Sequence, residues 1–123
     1  MAKRPGRNGA TSLIVKRRTS KSQLEDSLEM QMRAYGLPRF EREYKFHPDR
    51  KWRFDFFLEG WGIEIQGGGW VAGGGGHNRN PIKMWEGYEK YNAAMEMGIK
   101  VLLYTGTQIG DGVAITQLER IFK

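Results

Sequence analysis

The chain has no cysteine, which excludes disulfides, thiolate zinc sites and cysteine nucleophiles at once. Its two histidines, His47 and His77, lie thirty positions apart, so no local histidine zinc motif is present. No apolar stretch approaches the length of a bilayer span, and no hydrophobic secretory core follows the basic first residues. No membrane partner is expected, and the expected compartment is the cytoplasm. The glycine-rich stretch 67–80 lacks the Gly-Lys-Ser/Thr ending of a phosphate-binding loop, which argues against nucleotide binding of that kind. Acidic residues are missing from positions 1–21, where Lys3, Arg4, Arg7, Lys16, Arg17, Arg18 and Lys21 contribute +7. The remaining residues hold 13 bases and 14 acids, so the +6 net charge of the whole is a property of this arm.

A Gly/Arg/Lys arm buries too little surface to fold alone, so residues 1–21 are expected to be disordered. Lys16, Arg17, Arg18 and Lys21 then read as a phosphate-neutralising tether for nucleic acid, with salt-sensitive binding. A solubilising tail and a transit peptide are the alternatives. Residues 22–123 form a single domain, large enough for one core and too small for two.

What is present in that domain is an alternation of short elements. Ser22 or Ser20 can cap a helix from about Gln23 to Tyr35, with Glu25 and Asp26 in its first turn. Leu24, Leu28, Gln31 or Met32, and Tyr35 keep the helical period, and Gly36-Leu37-Pro38 ends it. Glu41–Phe46 alternates as a strand, and His47-Pro48-Asp49 turns. Two apolar runs, Trp52–Leu58 and Gly62–Gly67, follow, joined by Glu59-Gly60. Pro81 opens a second helix, on which Met84, Tyr88, Tyr91 and Met95 mark a core-facing stripe. Lys100–Tyr104 reads as a buried strand, Thr105–Gly112 as a turn, and Ala114, Leu118, Ile121 and Phe122 as a last helix. The order is α-β-β-β-α-β-α, an α/β (α+β) domain with a mixed sheet and helices on its faces.

The two carboxylates of the hairpin carry the chemistry. If Glu59 and Gly60 are the loop, Leu58 pairs with Trp61 and Asp55 falls directly across from Glu64. Like charges placed opposite each other cost a sheet up to roughly 1 kcal/mol, so such a pair is a candidate cation site. Gln66 shares the face of Glu64, while Ile63 and Ile65 point to the core. A register slip of one residue would put both isoleucines in water. Phe54, Phe56 and Phe57 crowd Asp55 into a strand buried on both faces, where an unpaired carboxylate is costly. An Asp followed by Glu-x-Gln on the next strand thus reads as a divalent-metal site for phosphodiester chemistry; carboxylates on a solvated hairpin face are the alternative.

Helix, three-stranded meander, crossover helix and strand, with Asp on the second strand and an acidic third, resemble the PD-(D/E)XK nuclease superfamily. The segments Ser22-Gln23-Leu24-Glu25, Trp52-Arg53-Phe54-Asp55-Phe56, Glu64-Ile65-Gln66-Gly67-Gly68, Gly76-His77 and Glu89-Lys90-Tyr91-Asn92-Ala93-Ala94 are similar to small phage- and prophage-encoded endonucleases of that superfamily. The resemblance implies a restriction-endonuclease-like αβββαβα core, DNA as partner, a bacterial host cytoplasm, and Asp55 and Glu64 as metal ligands. It implies Glu25 as a helix-borne acid at the same site, with Asp26 and Glu29 as competitors. Gln66 stands where the superfamily usually has lysine; glutamine can still bind and aim a water. Lys90 on the crossover helix is the candidate replacement cation, or else a solvated helix lysine.

The activity implied is hydrolysis of DNA phosphodiesters with Mg²⁺ or Mn²⁺ held by Asp55, Glu64, the Ile65 carbonyl and waters. His77 and Arg79, on the glycine-rich loop, are candidate phosphate contacts or an ordinary polar loop. Symmetric cutting of both strands or of a branched junction would require a homodimer. The alternative function is a nucleic-acid-binding protein that keeps the nuclease fold without turnover, or a basic structural protein working through its arm.

Overall fold

The computed structural model describes residues 20–66 and 81–123, with side chains from residue 87 onward in the second segment. Lys16, Arg17, Arg18, His77 and Arg79, five of the expected nucleic-acid contacts, lie outside the described residues, as does the side chain of Met84. No described helix is long and apolar enough to cross a membrane.

Helix α1 spans Lys21–Ala34. Ser20 caps it by accepting from the Gln23 backbone N–H at 3.1 Å, and the Gln23 side chain accepts from the Ser20 N–H at 3.0 Å, a reciprocal box that satisfies two donors with no helical partner. The start lies two residues earlier than expected, so Glu25 and Asp26 sit past the first turn. Lys21, assigned on sequence to the disordered arm, is the first helical residue. Leu24, Leu28 and Met32 recur every four positions and are all buried, whereas Tyr35, counted in the same stripe, is 44% exposed at the helix end.

Strands β1 (Glu41–Lys45), β2 (Arg53–Leu58), β3 (Trp61–Ile65) and β4 (Lys100–Tyr104) form one mixed sheet in the order β1-β2-β3-β4. The first two pairings are antiparallel and the last is parallel, reached through the crossover helix α2 (Pro81–Glu96). Glu59 and Gly60 both have positive φ, 48° and 85°, the geometry of the two-residue turn whose twist suits a hairpin. The register is the expected one: Leu58 pairs with Trp61 and Phe56 with Ile63.

Each face of the sheet carries its own core. On one, Phe56, Leu58, Ile63 and Ile65 pack against α1, a short helix α3 (Gly106–Gly110) and α4 (Val113–Phe122). On the other, Phe46 and Phe54 pack against Ala94 of α2, with Tyr44, Tyr91 and Val101 around them. The architecture is therefore α+β, a four-stranded mixed sheet flanked by helices.

Three local expectations are corrected. The segment expected as a turn after β4 contains α3, which Thr105 and Gln108 cap by the same reciprocal box as α1. Tyr88 and Met95 are exposed, 55% and 56%, so of the expected apolar stripe only Tyr91, among the described side chains, packs toward the sheet. The side turned to the sheet is Lys90, Tyr91 and Ala94, because small Ala94 lets the helix approach Phe54 while Lys90 reaches a carboxylate beyond it. Finally, β4 is an edge strand with Leu103 44% exposed, not a strand buried on both faces.

Candidate functional site

The site grows from a break in strand alternation. Phe54, Asp55 and Phe56 are buried in succession, yet Phe54 belongs to the core beneath α2 and Phe56 to the core beneath α1. In a regular strand, residues two apart share a face. The partner strand carries the cause: Glu43, opposite Asp55, has φ +53°, a left-handed conformation uncommon for glutamate. Regular pairing of β1 with β2 skips this position, with Arg42 on Phe56 and Tyr44 on Phe54. The ladder between β2 and β3 likewise ends at Phe56 and Ile63, one step short of the expected Asp55–Glu64 pair. In place of a backbone partner, the Ile65 N–H donates to Asp55 Oδ2 at 2.7 Å.

Around that break the charged groups collect. Asp55 is 5% exposed, and its Oδ1 lies 3.2 Å from Lys21 Nζ. Glu25, from the buried face of α1, accepts from Arg42 Nη2 at 2.8 Å and lies 3.9 Å from Lys21 Nζ. Arg42 also pairs with Glu29 and covers the Phe56 ring, its guanidinium 5.0 Å from the centroid. Carboxylate oxygens of Glu25, Glu43 and Asp55 come within 4.8 Å of one another, a trio able to hold a metal ion. Glu64 stands outside that trio. Its Oε2 is 3.1 Å from Lys90 Nζ, which rests over the Phe54 ring, and its buried Oε1 has no hydrogen-bond partner among the described residues.

Electrostatics tie these groups together. Burial raises the Glu64 pKa above the usual carboxylate value, and the Asp55 charge raises it further, against the pull of Lys90 and Lys21. Glu25 is raised for the same two reasons, with the Arg42 hydrogen bond opposing. For Lys21, burial works to lower the pKa, but Asp55 and Glu64 outweigh it and the net shift is upward. Tyr91 is pushed up to about 12 by burial and by Glu64, although the neighbouring Gln66 side chain acts the other way. Tyr91 is thus a protonated phenol at neutral pH. Gln66 itself continues the parallel ladder, its N–H donating to the Tyr104 carbonyl at 2.8 Å.

Of the residues expected to form one site, Glu25 and Asp55 share Lys21, Asp55 accepts from the Ile65 N–H, Glu64 pairs with Lys90, and Gln66 follows at the carboxyl end of β3. This is the end of parallel strands where open α/β sheets gather their ligands. Lys21 joins them from α1, contacting carboxylates where a free arm residue was expected. Sequence reasoning missed Arg42, Glu43 and Tyr91. Only Tyr91 carried a signal, as a member of a helical stripe; nothing local announces the left-handed turn at Glu43 that brings β1 into the site. Searches of protein-family models, curated proteins and solved structures return no match to the chain.

Proposed function

We propose that the protein is a divalent-metal-dependent DNA endonuclease with the core of the PD-(D/E)XK superfamily. The observation that carries this reading is the coupling of two buried acidic groups, Glu25 and Asp55 about Lys21 and Glu64 against Lys90, with Glu64 Oε1 left without a hydrogen-bond partner among the described residues. Burying several charges costs several kcal/mol unless they are fully paired. Groups held at such a cost in a cleft are candidates for chemistry, and an orphaned carboxylate oxygen fits a hard cation.

Asp55, Glu64 and the Ile65 carbonyl would hold Mg²⁺ or Mn²⁺, with Glu25 beside them; the donor set is all oxygen, as these ions prefer. Such an ion, when bound, polarises a phosphodiester and lowers the pKa of a water. The chain's own residues share the other tasks. Lys90 supplies positive charge for the phosphate, the role that Gln66 in the usual lysine position cannot fill. Gln66 offers both a donor and an acceptor to orient a water. Arg42 fixes Glu25. The basic arm neutralises DNA phosphates.

One observation favours the alternative of a binding protein without turnover: both oxygens of Asp55 already have protein partners, Lys21 and the Ile65 N–H. Nicking of supercoiled plasmid separates the two. Cleavage with Mg²⁺ or Mn²⁺ that disappears in EDTA is the expected result; salt-sensitive DNA binding with no cleavage under either metal selects the alternative.

A further inference from the structure

We propose that Lys21 is the resident counter-cation of the acidic site, holding the Asp55 oxygen that a divalent ion needs and giving it up when that ion binds. The inference rests on the metal-site reading above.

Asp55 Oδ2 is taken by the Ile65 N–H at 2.7 Å, a bond internal to the sheet. Oδ1 is the oxygen left for a ligand, and Lys21 Nζ lies 3.2 Å from it. The same ammonium stands 3.9 Å from Glu25 Oε2, so a single group bridges two carboxylates brought from different elements. Helix chemistry does not explain a lysine there. The residue after an N-cap meets the positive end of the helix dipole, which disfavours a cation. The compensation comes from across the gap, from Asp55, with Glu64 adding to it.

An ammonium and a divalent ion seek the same oxygens, and two cations cannot share them in contact without strong repulsion in a low-dielectric site. Binding of either therefore excludes the other. The lysine is free to leave: its side chain is 41% exposed, and the Ser20–Gln23 box that anchors the helix start does not involve it. The metal-free protein thus keeps its buried acids compensated. The metal must displace Lys21, and this lowers its apparent affinity by the fraction of molecules in which the pair is formed.

The test is titration of MnCl₂ alone into the full-length protein by isothermal calorimetry, free of DNA. Removal of the competitor in Lys21→Met should tighten Mn²⁺ binding by roughly tenfold or more, while lowering the melting temperature of the metal-free protein. Lys21→Arg keeps a cation and should stay near wild type. Lys100→Met removes the same charge from the opposite end of β4, where Lys100 pairs with Trp61, and should leave the affinity nearly unaltered. Wild-type or weaker affinity in a folded Lys21→Met protein overturns the proposal, as does equal tightening by Lys100→Met. Absence of Mn²⁺ binding in all four proteins overturns it together with the metal site. Tightening by Lys21→Met in a protein that never cleaves DNA upholds the counter-cation and removes only the nuclease reading.

Discussion

Gly62→Ala joins the packing of the sheet to the site above it. Gly62 pairs with Phe57 on β2, and a Cβ at this position would lie 2.5 Å from Phe54 Cδ2 and 2.7 Å from two further ring atoms. The ring has nowhere to retreat: Phe54 is fully buried, stacked on Phe46 at 4.9 Å, with Lys90 Nζ 5.1 Å from its centroid. Overpacking of this kind costs about 1–3 kcal/mol, and three contacts inside van der Waals distance on an immobile ring point to the upper end. The loss of glycine's freedom in the unfolded chain returns about 0.4–1 kcal/mol. The net destabilisation is about 2 kcal/mol, or a fall in melting temperature of about 8–16 °C for a domain of this size. Thermal unfolding followed by circular dichroism measures it, and Phe54→Leu placed in the Gly62→Ala background should recover part of the loss. A melting temperature within about 2 °C of wild type, or no coupling between the two substitutions, would refute the packing argument.

Asp55→Asn should abolish metal binding and cleavage while lowering metal-free stability by only about 1 kcal/mol. The lost Lys21 pair and the weakened bond from Ile65 are partly offset by relief at Glu25 and Glu64, and retained cleavage would remove Asp55 from the site. Lys90→Ala should lower turnover by on the order of a hundredfold with DNA binding nearly intact, and Gln66→Lys should restore part of the rate by returning the charge from the strand; a wild-type rate in Lys90→Ala would sink that role. Stability in metal-free buffer should rise as pH falls from neutral toward 4.5, the ordinary glutamate value. Glu64 and Glu25 have raised folded pKa values, so the folded state binds their protons more tightly than the unfolded chain does. Glu29, lowered by its Arg33 and Arg42 hydrogen bonds, subtracts stability only below that range, and Glu64→Gln should flatten the slope above it. Deleting residues 1–19 removes six positive charges and should weaken DNA binding and flatten its salt dependence; an unaltered slope would show that the arm is no tether.

The hairpin could be read from sequence because two independent constraints agree on it. Glu59-Gly60 allows a two-residue turn, and the Ile63/Ile65 alternation forbids an odd slip, so the pairing of Leu58 with Trp61 follows from local information. The same holds for Leu24, Leu28 and Met32 on α1, where period and burial coincide. Reading failed where a contact from a distant segment outranks local hydrophobicity. On α2 the more apolar side holds Tyr88 and Met95, yet the helix turns Lys90 and Ala94 to the sheet. Glu64 gains a charged partner there, and Phe54 admits only a small neighbour. A hydrophobic stripe cannot express either requirement.

Asp55 is the sharpest instance. The sequence pattern set it opposite Glu64 in a regular ladder, on one face, as a repelling pair. The β2–β3 ladder stops one step short, at Phe56 and Ile63, and left-handed Glu43 interrupts the β1–β2 pairing on the other side, so Asp55 instead takes the Ile65 N–H and the Lys21 ammonium. The acids remain neighbours, but the repulsion is answered from outside the hairpin. Lys21, Arg42 and Lys90 arrive from α1, β1 and α2, separated from Asp55 and Glu64 by stretches of chain over which no periodicity carries. A strand pattern can therefore nominate the two carboxylates and is blind to the cations that decide their state. Whether the acids hold a metal or a lysine depends on those cations, and that makes Lys21, counted on sequence as one more charge of a disordered arm, the residue on which the site's chemistry turns.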